Sequence, residues 1–396
     1  MPSPLRSAFF QRVAQTSPDP DGFEVSHGNG IFLYDQDGNA YIDCISGIAV
    51  SALGHHHPAM LRAIQKQADL HLHTMVYGEH IQAPQVTLAE QLAHLLPENL
   101  SCTFFTNSGA EAVEGALKVA KKYTSRYKII ACRRAYHGST AGAESLRSDL
   151  AFTSTSRPLV PGIVHIDFNS FDDIKRIRED IAAVIIEPIQ GEAGVIVPDD
   201  GYLKAVRSQC DQTGTLLIFD EIQTGMGRTG TLWAFEHEQV IPDLLLLAKA
   251  FGGGLPLGAF ISSREIMSVL AHDPALGHLT TFGGHPLSCA TSLEAIRVIL
   301  EEGLPHKAAA HRHVLLNALQ HHRVVREIRG RGLMLALDLN APELLKPALQ
   351  AMRKNGLLAD WFLFNQQSIR LAPPLVMRDD EMQLMCEKMV ASLDTL

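Results

Sequence analysis

The sequence predicts an α/β fold, in which a mainly parallel sheet is covered by helices on both faces, with a smaller α+β domain beside it. Three observations predict this architecture. Short runs rich in leucine and β-branched residues alternate with helical patterns through the middle of the chain, as in sheets buried on both sides. The two ends instead carry strand and hairpin patterns. With 396 residues, 46% of them hydrophobic, the chain can also bury a large core.

The predicted strands of the central sheet are short apolar runs, bounded by polar or turn-forming residues. They cover residues 103–106, 128–132, 163–166, 182–187, 215–221, 244–248 and 258–262. Between them, residues 109–124 and 201–212 place their apolar side chains at helical spacing. The alternation favours parallel strands joined by helices.

The chain ends are predicted to form a second, smaller domain. Residues 30–43 form a hairpin pattern that turns at Asp37 and Gly38, and residues 328–339 and 368–375 each form a strand pattern. We therefore expect an N-terminal segment, a large central domain and a C-terminal small domain at residues 1–57, 58–300 and 301–396.

Composition excludes several classes of partner. The net charge is -9 and no basic cluster follows the pattern of a phosphate backbone, so neither nucleic acid nor an anionic membrane is expected. The six cysteines are scattered without a C-x-x-C pair, which favours a reducing cytoplasm. Residues 1–18 are only weakly typical of a mitochondrial transit peptide. The histidines of residues 55–57 and 71–80 lack the spacing of metal ligands, so no metal is expected.

Lys249 is the first candidate catalytic residue, because it interrupts a run of leucines and precedes three glycines. Such a lysine either extends its ammonium to water or is held in the interior for its chemistry. Burial lowers the pKa of an amine and favours the neutral nucleophile that Schiff-base chemistry requires.

Three further polar sites follow predicted strands, where ligands bind in open α/β sheets. Asp220 ends the apolar run 215–219, although it could simply cap the next segment. Ser108 and Glu111 match a capping box at a glycine-lined helix start, which also suits a phosphate. Tyr136 could stack on a planar ligand or belong to the core. A nucleophile, a carboxylate, an aromatic ring and a phosphate site are together what pyridoxal phosphate requires.

These sites belong to blocks that extend over most of the chain. The blocks include GIAVSALGHHHP (47–58), TNSGAEAVEGALKVAKKYT (106–124), AYHG (135–138), IIEPIQGEAGV (185–195), LLIFDEIQTGMGRTG (216–230), LLLAKAFGGGLPLGA (245–259), TTFGGHPLSCA (280–290) and IRLAPPL (369–375). With them the sequence resembles the class III, or subgroup II, aminotransferases of fold type I, which include acetylornithine, ornithine and 4-aminobutyrate aminotransferases.

The resemblance implies a role for each matching residue toward pyridoxal phosphate. Lys249 matches the lysine that binds the cofactor covalently and moves the proton during transfer. Asp220 matches the partner of the pyridinium nitrogen, and Tyr136 the aromatic stacked on the ring. Gln223 matches a residue near the phenolic oxygen, and Glu187 matches a position close to the cofactor without an assigned task.

The resemblance also implies a homodimer with shared active sites. Ser108, Gly109 and Ala110 match the phosphate-binding helix start, and Thr281 matches a residue that completes the phosphate site from the neighbouring subunit.

The expected substrates are an amino donor and a 2-oxo acid. Arg370 matches the arginine that binds the carboxylate of the 2-oxo acid, and Glu192 the glutamate that masks it when an ω-amine enters; a surface ion pair is the alternative for Arg370. Ser139 stands where related enzymes carry an arginine that grips a substrate carboxylate. Three nearby arginines could substitute for it: Arg133, Arg134 and Arg147.

The expected function is transfer of an amino group from an ω- or β-amino acid, ornithine, N-acylornithine or amine to pyruvate or 2-oxoglutarate. An aminomutase or a decarboxylase would use the same lysine and aspartate, and a catalytically silent cofactor-binding protein is the third alternative.

Overall fold

The computed structural model describes residues 3–396 of the chain; Met1 and Pro2, with which the predicted N-terminal segment begins, lie outside the described residues. The helices are α1 (Pro4–Arg12), α2 (Ser46–Ala49), α3 (Pro58–Ala68), α4 (Ala83–Leu95), α5 (Gly109–Thr124), α6 (Ala141–Ser145), α7 (Leu150–Thr153), α8 (Tyr202–Thr213), α9 (Arg264–Met267), α10 (Pro286–Glu301), α11 (Leu304–Leu319), α12 (Leu345–Lys354) and α13 (Asp379–Leu393). The strands are β1 (His27–Asn29), β2 (Phe32–Tyr34), β3 (Ala40–Asp43), β4 (Cys102–Thr106), β5 (Lys128–Cys132), β6 (Ile163–Ile166), β7 (Ile181–Ile186), β8 (Leu216–Asp220), β9 (Leu244–Leu247), β10 (Gly258–Ser262), β11 (Val325–Arg331), β12 (Met334–Leu339), β13 (Leu357–Leu358), β14 (Asp360–Phe362) and β15 (Asn365–Leu371).

The central sheet has seven strands in the order β4-β10-β9-β8-β7-β5-β6. Strand β10 runs antiparallel to both of its neighbours, and the remaining neighbours pair in parallel. The predicted α/β fold with a mainly parallel sheet is confirmed. Each of the seven predicted runs lies within one or two residues of an observed strand.

Both faces of this sheet are buried, which explains why its strands are continuous apolar runs. In β9, Leu244 and Leu246 pack in one hydrophobic cluster with residues of α5, whereas Leu245 and Leu247 pack in a second and larger cluster. The alternation follows from the two-residue period of a strand.

Helix α5 lies close to the sheet because Gly115 faces the ring of Phe260 on β10. A methyl group at this glycine would overlap the ring carbons of Phe260. The close approach fixes the position of the first turn of α5, which faces the carboxyl ends of the strands.

Gly115→Ala should therefore destabilise the protein by about 1–3 kcal/mol, the usual cost of overpacking a core. We also expect weaker retention of any ligand held by the first turn of α5, because the helix must shift. Thermal unfolding of the variant beside the wild type would test this. An unfolding temperature of Gly115→Ala at or above that of the wild type would contradict it.

Two smaller sheets flank the central one. In the first, of order β1-β2-β3-β13, β13 from the C-terminal region pairs in parallel with β3 from the N-terminal region. The predicted hairpin within 30–43 is confirmed: β2 pairs with β3, and Gly38 adopts a φ of 83° in the turn. Such a φ favours glycine.

The second small sheet has the order β11-β12-β15-β14 and corrects two predictions. The single strand predicted at 328–339 is wrong, because β11 and β12 form a hairpin whose turn holds Gly332 at a φ of 53°. The strand predicted at 368–375 ends at Leu371. Pro373 and Pro374 follow, and proline cannot donate a ladder hydrogen bond.

None of the helices within residues 3–396 combines the length and the apolar character needed to cross a bilayer.

Candidate active site

A cavity of about 690 Å³ opens at the carboxyl ends of strands β5, β7, β8 and β9. Ligands bind at this edge of open α/β sheets because the loops that follow parallel strands converge there. Nine of the predicted site residues line the cavity: Ser108, Gly109, Ala110, Tyr136, Glu187, Glu192, Asp220, Gln223 and Lys249.

Lys249 follows β9 and begins a 3₁₀ turn, Lys249–Gly252, with a φ of 53°. A left-handed φ is costly for lysine and such residues concentrate at functional sites. Part of its side chain remains accessible on the cavity wall. Burial lowers the pKa of the Lys249 ammonium; the carboxylates of Glu192 and Asp220 oppose that change, and the guanidinium of Arg370 adds to it.

Asp220 and His137 form a buried pair at the base of the cavity, with 2.7 Å between Oδ2 of Asp220 and Nδ1 of His137. The second carboxylate oxygen of Asp220 accepts a hydrogen bond from the Ile222 amide at 3.0 Å. Asp220 thus caps the next segment with one oxygen and binds an imidazole with the other. Burial alone would lower the pKa of His137, but the hydrogen bond and charge of Asp220 outweigh it and raise the pKa.

Glu187 lies beneath the loop that carries Tyr136. Its carboxylate accepts hydrogen bonds from the amides of Tyr136 at 3.1 Å and Gly191 at 2.7 Å. Burial raises the pKa of Glu187 to about 7, against the opposing charge of His137. Gln223 packs against Gly191, where any Cβ would overlap the side-chain oxygen of Gln223.

The start of α5 presents unpaired amides to the cavity. Ser108 caps the helix by accepting a hydrogen bond from the Glu111 amide at 3.2 Å. The predicted capping box is only half formed, because the carboxylate of Glu111 accepts from the Asn107 amide at 2.8 Å instead. Within residues 3–396, the amides of Gly109 and Ala110 donate to no other group. A helix start of this kind attracts an anion.

Tyr136 lies between the cavity and a buried arginine. Its hydroxyl is 3.3 Å from the hydroxyl of Ser139, and the guanidinium carbon of Arg147 is 5.1 Å from its ring centre. Of the three arginines considered as substitutes for the missing carboxylate clamp, only Arg147 lies beside this ring. Arg133 and Arg134 are exposed, and Arg133 pairs with Asp167 at 3.3 Å.

Arg370 and Glu192 form a bidentate ion pair, with Nη1–Oε1 and Nη2–Oε2 distances of 2.7 and 2.8 Å. Their side chains are only 5% and 8% exposed, so the alternative of a surface ion pair is wrong. Glu192 lines the cavity and Arg370 lies behind it. Substitution of only one partner by a neutral residue would leave the charge of the other buried and uncompensated.

Thr281 stands apart from the other predicted residues. It is exposed and does not line the cavity. The preceding residue, Thr280, accepts a hydrogen bond from the side chain of Asn107 at 2.7 Å. Thr281 therefore lies on the surface beside the start of α5 rather than within the cavity of its own chain.

Comparisons with known proteins identify the family. Residues 14–393 match the family model of class-III aminotransferases. The chain is 42% identical over 360 residues, 90% of each chain, to an acetylornithine aminotransferase from Methanopyrus kandleri. The chain belongs to the class-III aminotransferases.

Two solved structures are similar over nearly the whole length of this aminotransferase. An ornithine aminotransferase from Toxoplasma gondii, with partial occupancy of pyridoxal phosphate at its active site, shares 32% identity at a TM-score of 0.89, over 98% of this chain and 93% of that one. A thermostable (S)-enantioselective omega-transaminase from Thermomicrobium roseum shares 30% identity at a TM-score of 0.90, over 98% and 97% of the two chains. The protein is a pyridoxal-phosphate-dependent enzyme of this class, as the resemblance implied.

The residues present fit this cofactor. Gly109 and Ala110 offer free amides to a phosphate, and Gly138 lets the loop of Tyr136 pack closely against the start of α5, since a Cβ there would lie 2.6 Å from the Cβ of Ala110. Asp220 is a buried carboxylate that faces the cavity, with the imidazole of His137 behind it. These groups match a phosphate, an aromatic ring and a protonated ring nitrogen.

His137 is the functional residue whose role the sequence did not reveal. Its Nε2 is buried without a partner among the described residues, although its Nδ1 binds Asp220. The position of His137 directly after Tyr136 at a strand end was an available signal. The 83 residues that separate it from Asp220 concealed the contact.

Proposed function

We propose that the aminotransferase moves an amino group from an ω- or β-amino acid, ornithine, N-acylornithine or amine to pyruvate or 2-oxoglutarate. The observation that carries this proposal is the buried Glu192–Arg370 pair beside Lys249. A cavity with a masked arginine can accept a neutral or cationic donor in one half-reaction. It can bind the carboxylate of a 2-oxo acid in the other, once Glu192 turns aside.

When bound, pyridoxal phosphate supplies the aldehyde that carries the amino group and the ring that withdraws electrons from the substrate carbon. Lys249 would hold it covalently and would act as the base and acid at the carbon that bears the amino group. Its burial supports this role, because a lowered pKa favours the neutral form of the amine. Asp220 would hold the ring nitrogen in its protonated state, and His137 keeps the carboxylate of Asp220 oriented.

The remaining predicted residues position the cofactor. Ser108 and the amides of Gly109 and Ala110 bind the phosphate, supported by the free amides of that helix start. Tyr136 would stack on the ring and Gln223 would bind near the phenolic oxygen, since both line the cavity. Glu187 supports both of these residues, because its carboxylate binds the Tyr136 amide and the amide of Gly191, against which Gln223 packs.

A homodimer with shared active sites is part of this proposal, with Thr281 of each chain completing the phosphate site of the other. It is supported by the exposed apolar side chains around that residue. Leu276, Leu279 and Phe282 are between 47% and 57% exposed. Such surfaces on a folded chain are typical of interaction sites.

The division of the chain at residues 57 and 300 remains a proposal, supported by the pairing of β13 with β3, which joins both chain ends in one sheet. A cytoplasmic location is also proposed, on the basis of the six cysteines, all of which are free thiols.

A donor panel tests the function. It should include N-acetylornithine, ornithine, lysine, 4-aminobutyrate, β-alanine and a simple amine, each with pyruvate and with 2-oxoglutarate. We expect turnover to require the 2-oxo acid. Product formed without an acceptor would indicate an aminomutase or a decarboxylase and would contradict the proposal.

The donor preference should depend on residue 139. Ser139 is exposed at the cavity mouth, so an arginine there should restore a carboxylate clamp. Ser139→Arg should lower KM for N-acetylornithine about tenfold, as expected for one charged hydrogen-bonded contact, and leave a simple amine little changed. Ser139→Ala is the matched control, and equal KM values for the two variants would exclude the clamp.

A further inference from the structure

The carboxylate of Glu192 is held by three donors that all belong to the β14–β15 hairpin. Its Oε1 accepts from Nη1 of Arg370 at 2.7 Å, and its Oε2 accepts from Nη2 of Arg370 at 2.8 Å. The third donor is the backbone amide of Leu363, which reaches Oε2 at 3.0 Å. The carboxylate of Glu192 thus occupies a three-donor site built for a planar two-oxygen anion.

We propose that the Leu363 amide is a substrate-binding group. When the 2-oxo acid enters, the Leu363 amide and Arg370 release the carboxylate of Glu192 and bind the carboxylate of the substrate instead. This inference rests on the proposed function, since it requires Glu192 to yield its place to a substrate carboxylate. The carboxylate oxygens of Glu192 then stand in for those of the substrate. One substrate oxygen receives two hydrogen bonds and the other receives one.

Arg370 is held in place independently of Glu192. Its Nη2 also donates to the Trp361 carbonyl at 2.8 Å, and its guanidinium lies 4.7 Å from the ring centre of Phe362. Asp360 lies 3.9 Å from its Nε. The guanidinium is therefore already oriented when Glu192 withdraws.

The hairpin tip also stays in place when the side chain of Glu192 moves. The Phe364 amide donates to the backbone carbonyl of Glu192 at 3.1 Å, a contact that the side chain does not affect. The Leu363 amide, by contrast, has no other acceptor within residues 3–396. Departure of Glu192 leaves this partly buried donor unsatisfied, which is unfavourable unless another acceptor replaces it. A substrate carboxylate replaces it directly.

Leu363 can be tested because of its place in the turn. Leu363 and Phe364 form the two-residue turn between Phe362 and Asn365, which pair with each other, and neither has a positive φ. Proline is favoured at the first central position of such a turn and lacks the N–H group. Leu363→Pro thus removes the donor, whereas Leu363→Ala removes the side chain and keeps the donor.

The experiment compares the two variants as holoenzymes. Both variants also carry Glu192→Ala, so that the Glu192 carboxylate no longer competes for the amide of residue 363. Relative to Leu363→Ala in this background, Leu363→Pro should raise KM for both pyruvate and 2-oxoglutarate about tenfold, the size expected for a hydrogen bond to a charged group. The half-reaction with a simple amine, which brings no carboxylate to Arg370, should differ much less between the variants. Calorimetric titration with glutarate, an unreactive dicarboxylate, should show the same loss of affinity as KM.

Equal KM values for the 2-oxo acids in the two variants would overturn the inference while leaving the aminotransferase function intact. Failure of the wild type to use any 2-oxo acid would instead overturn the proposed function. If Leu363→Pro does not fold, incorporation of the α-hydroxy acid of leucine at position 363 replaces the N–H with an ester oxygen. The same increase in KM is then expected, and its absence overturns the inference.

Discussion

Lys249→Ala is expected to yield a folded protein that retains pyridoxal phosphate without a covalent bond and has lost transamination by at least about 1,000-fold. The size follows from the loss of both the nucleophile and the acid–base group at one position. Folding should survive, because the substitution removes a partly accessible ammonium from the cavity wall rather than an apolar core contact. The loss should therefore appear in kcat and not in the amount of folded protein.

The measurement combines stopped-flow half-reactions with borohydride treatment. In the wild type, reduction should fix the cofactor to the peptide that contains Lys249, with a stable increase in its mass. In Lys249→Ala, borohydride should leave the retained cofactor without a covalent bond to the protein, and no such peptide should form. Lys204→Ala is a matched control, since Lys204 is an exposed lysine of α8. Activity of Lys249→Ala within tenfold of that control would contradict the assignment.

The sequence predicted the central sheet well because its signals are local. Each buried strand is a continuous apolar run, and the residues after each run become neighbours once the strands align in parallel. Lys249, Asp220 and Tyr136 were found in this way, and the family blocks specified which role each has. The terminal sheets were predicted less well, because the left-handed φ of Gly332 converts one apparent strand into a hairpin.

The contacts within the site depended on structure. Asp220 and Glu221 are adjacent acids at one strand end, and the strand pattern alone does not show which of the two carboxylates faces the cavity. In the structure, Glu221 instead accepts hydrogen bonds from the amides of Ala234 and Phe235, at 2.6 and 2.8 Å. The Leu363 amide carries no side-chain signal at all, because a backbone donor is common to every residue except proline.

Asp220→Asn tests the charge at the base of the cavity. The substitution conserves volume and can keep the hydrogen bond from the Ile222 amide, but it removes the negative charge that His137 and the ring nitrogen both require. We expect kcat to fall by about 100-fold to 1,000-fold, as for loss of one preorganised electrostatic contact. Retention of cofactor should fall less, because the phosphate site at α5 is unchanged.

The same variant has a pH signature that a packing defect would not produce. Asp220 raises the pKa of His137 in the folded protein. The pair therefore stabilises the folded state fully at a pH below the ordinary histidine pKa, and this stabilisation is lost as pH rises through the raised pKa of His137. The stability deficit of Asp220→Asn should therefore be largest at acidic pH and should narrow toward alkaline pH. Urea unfolding across that range would measure it, with Asp211→Asn, an exposed position on α8, as the control. A deficit independent of pH would mean that Asp220 acts by packing alone, because a charge that holds the proton on His137 links unfolding to proton release.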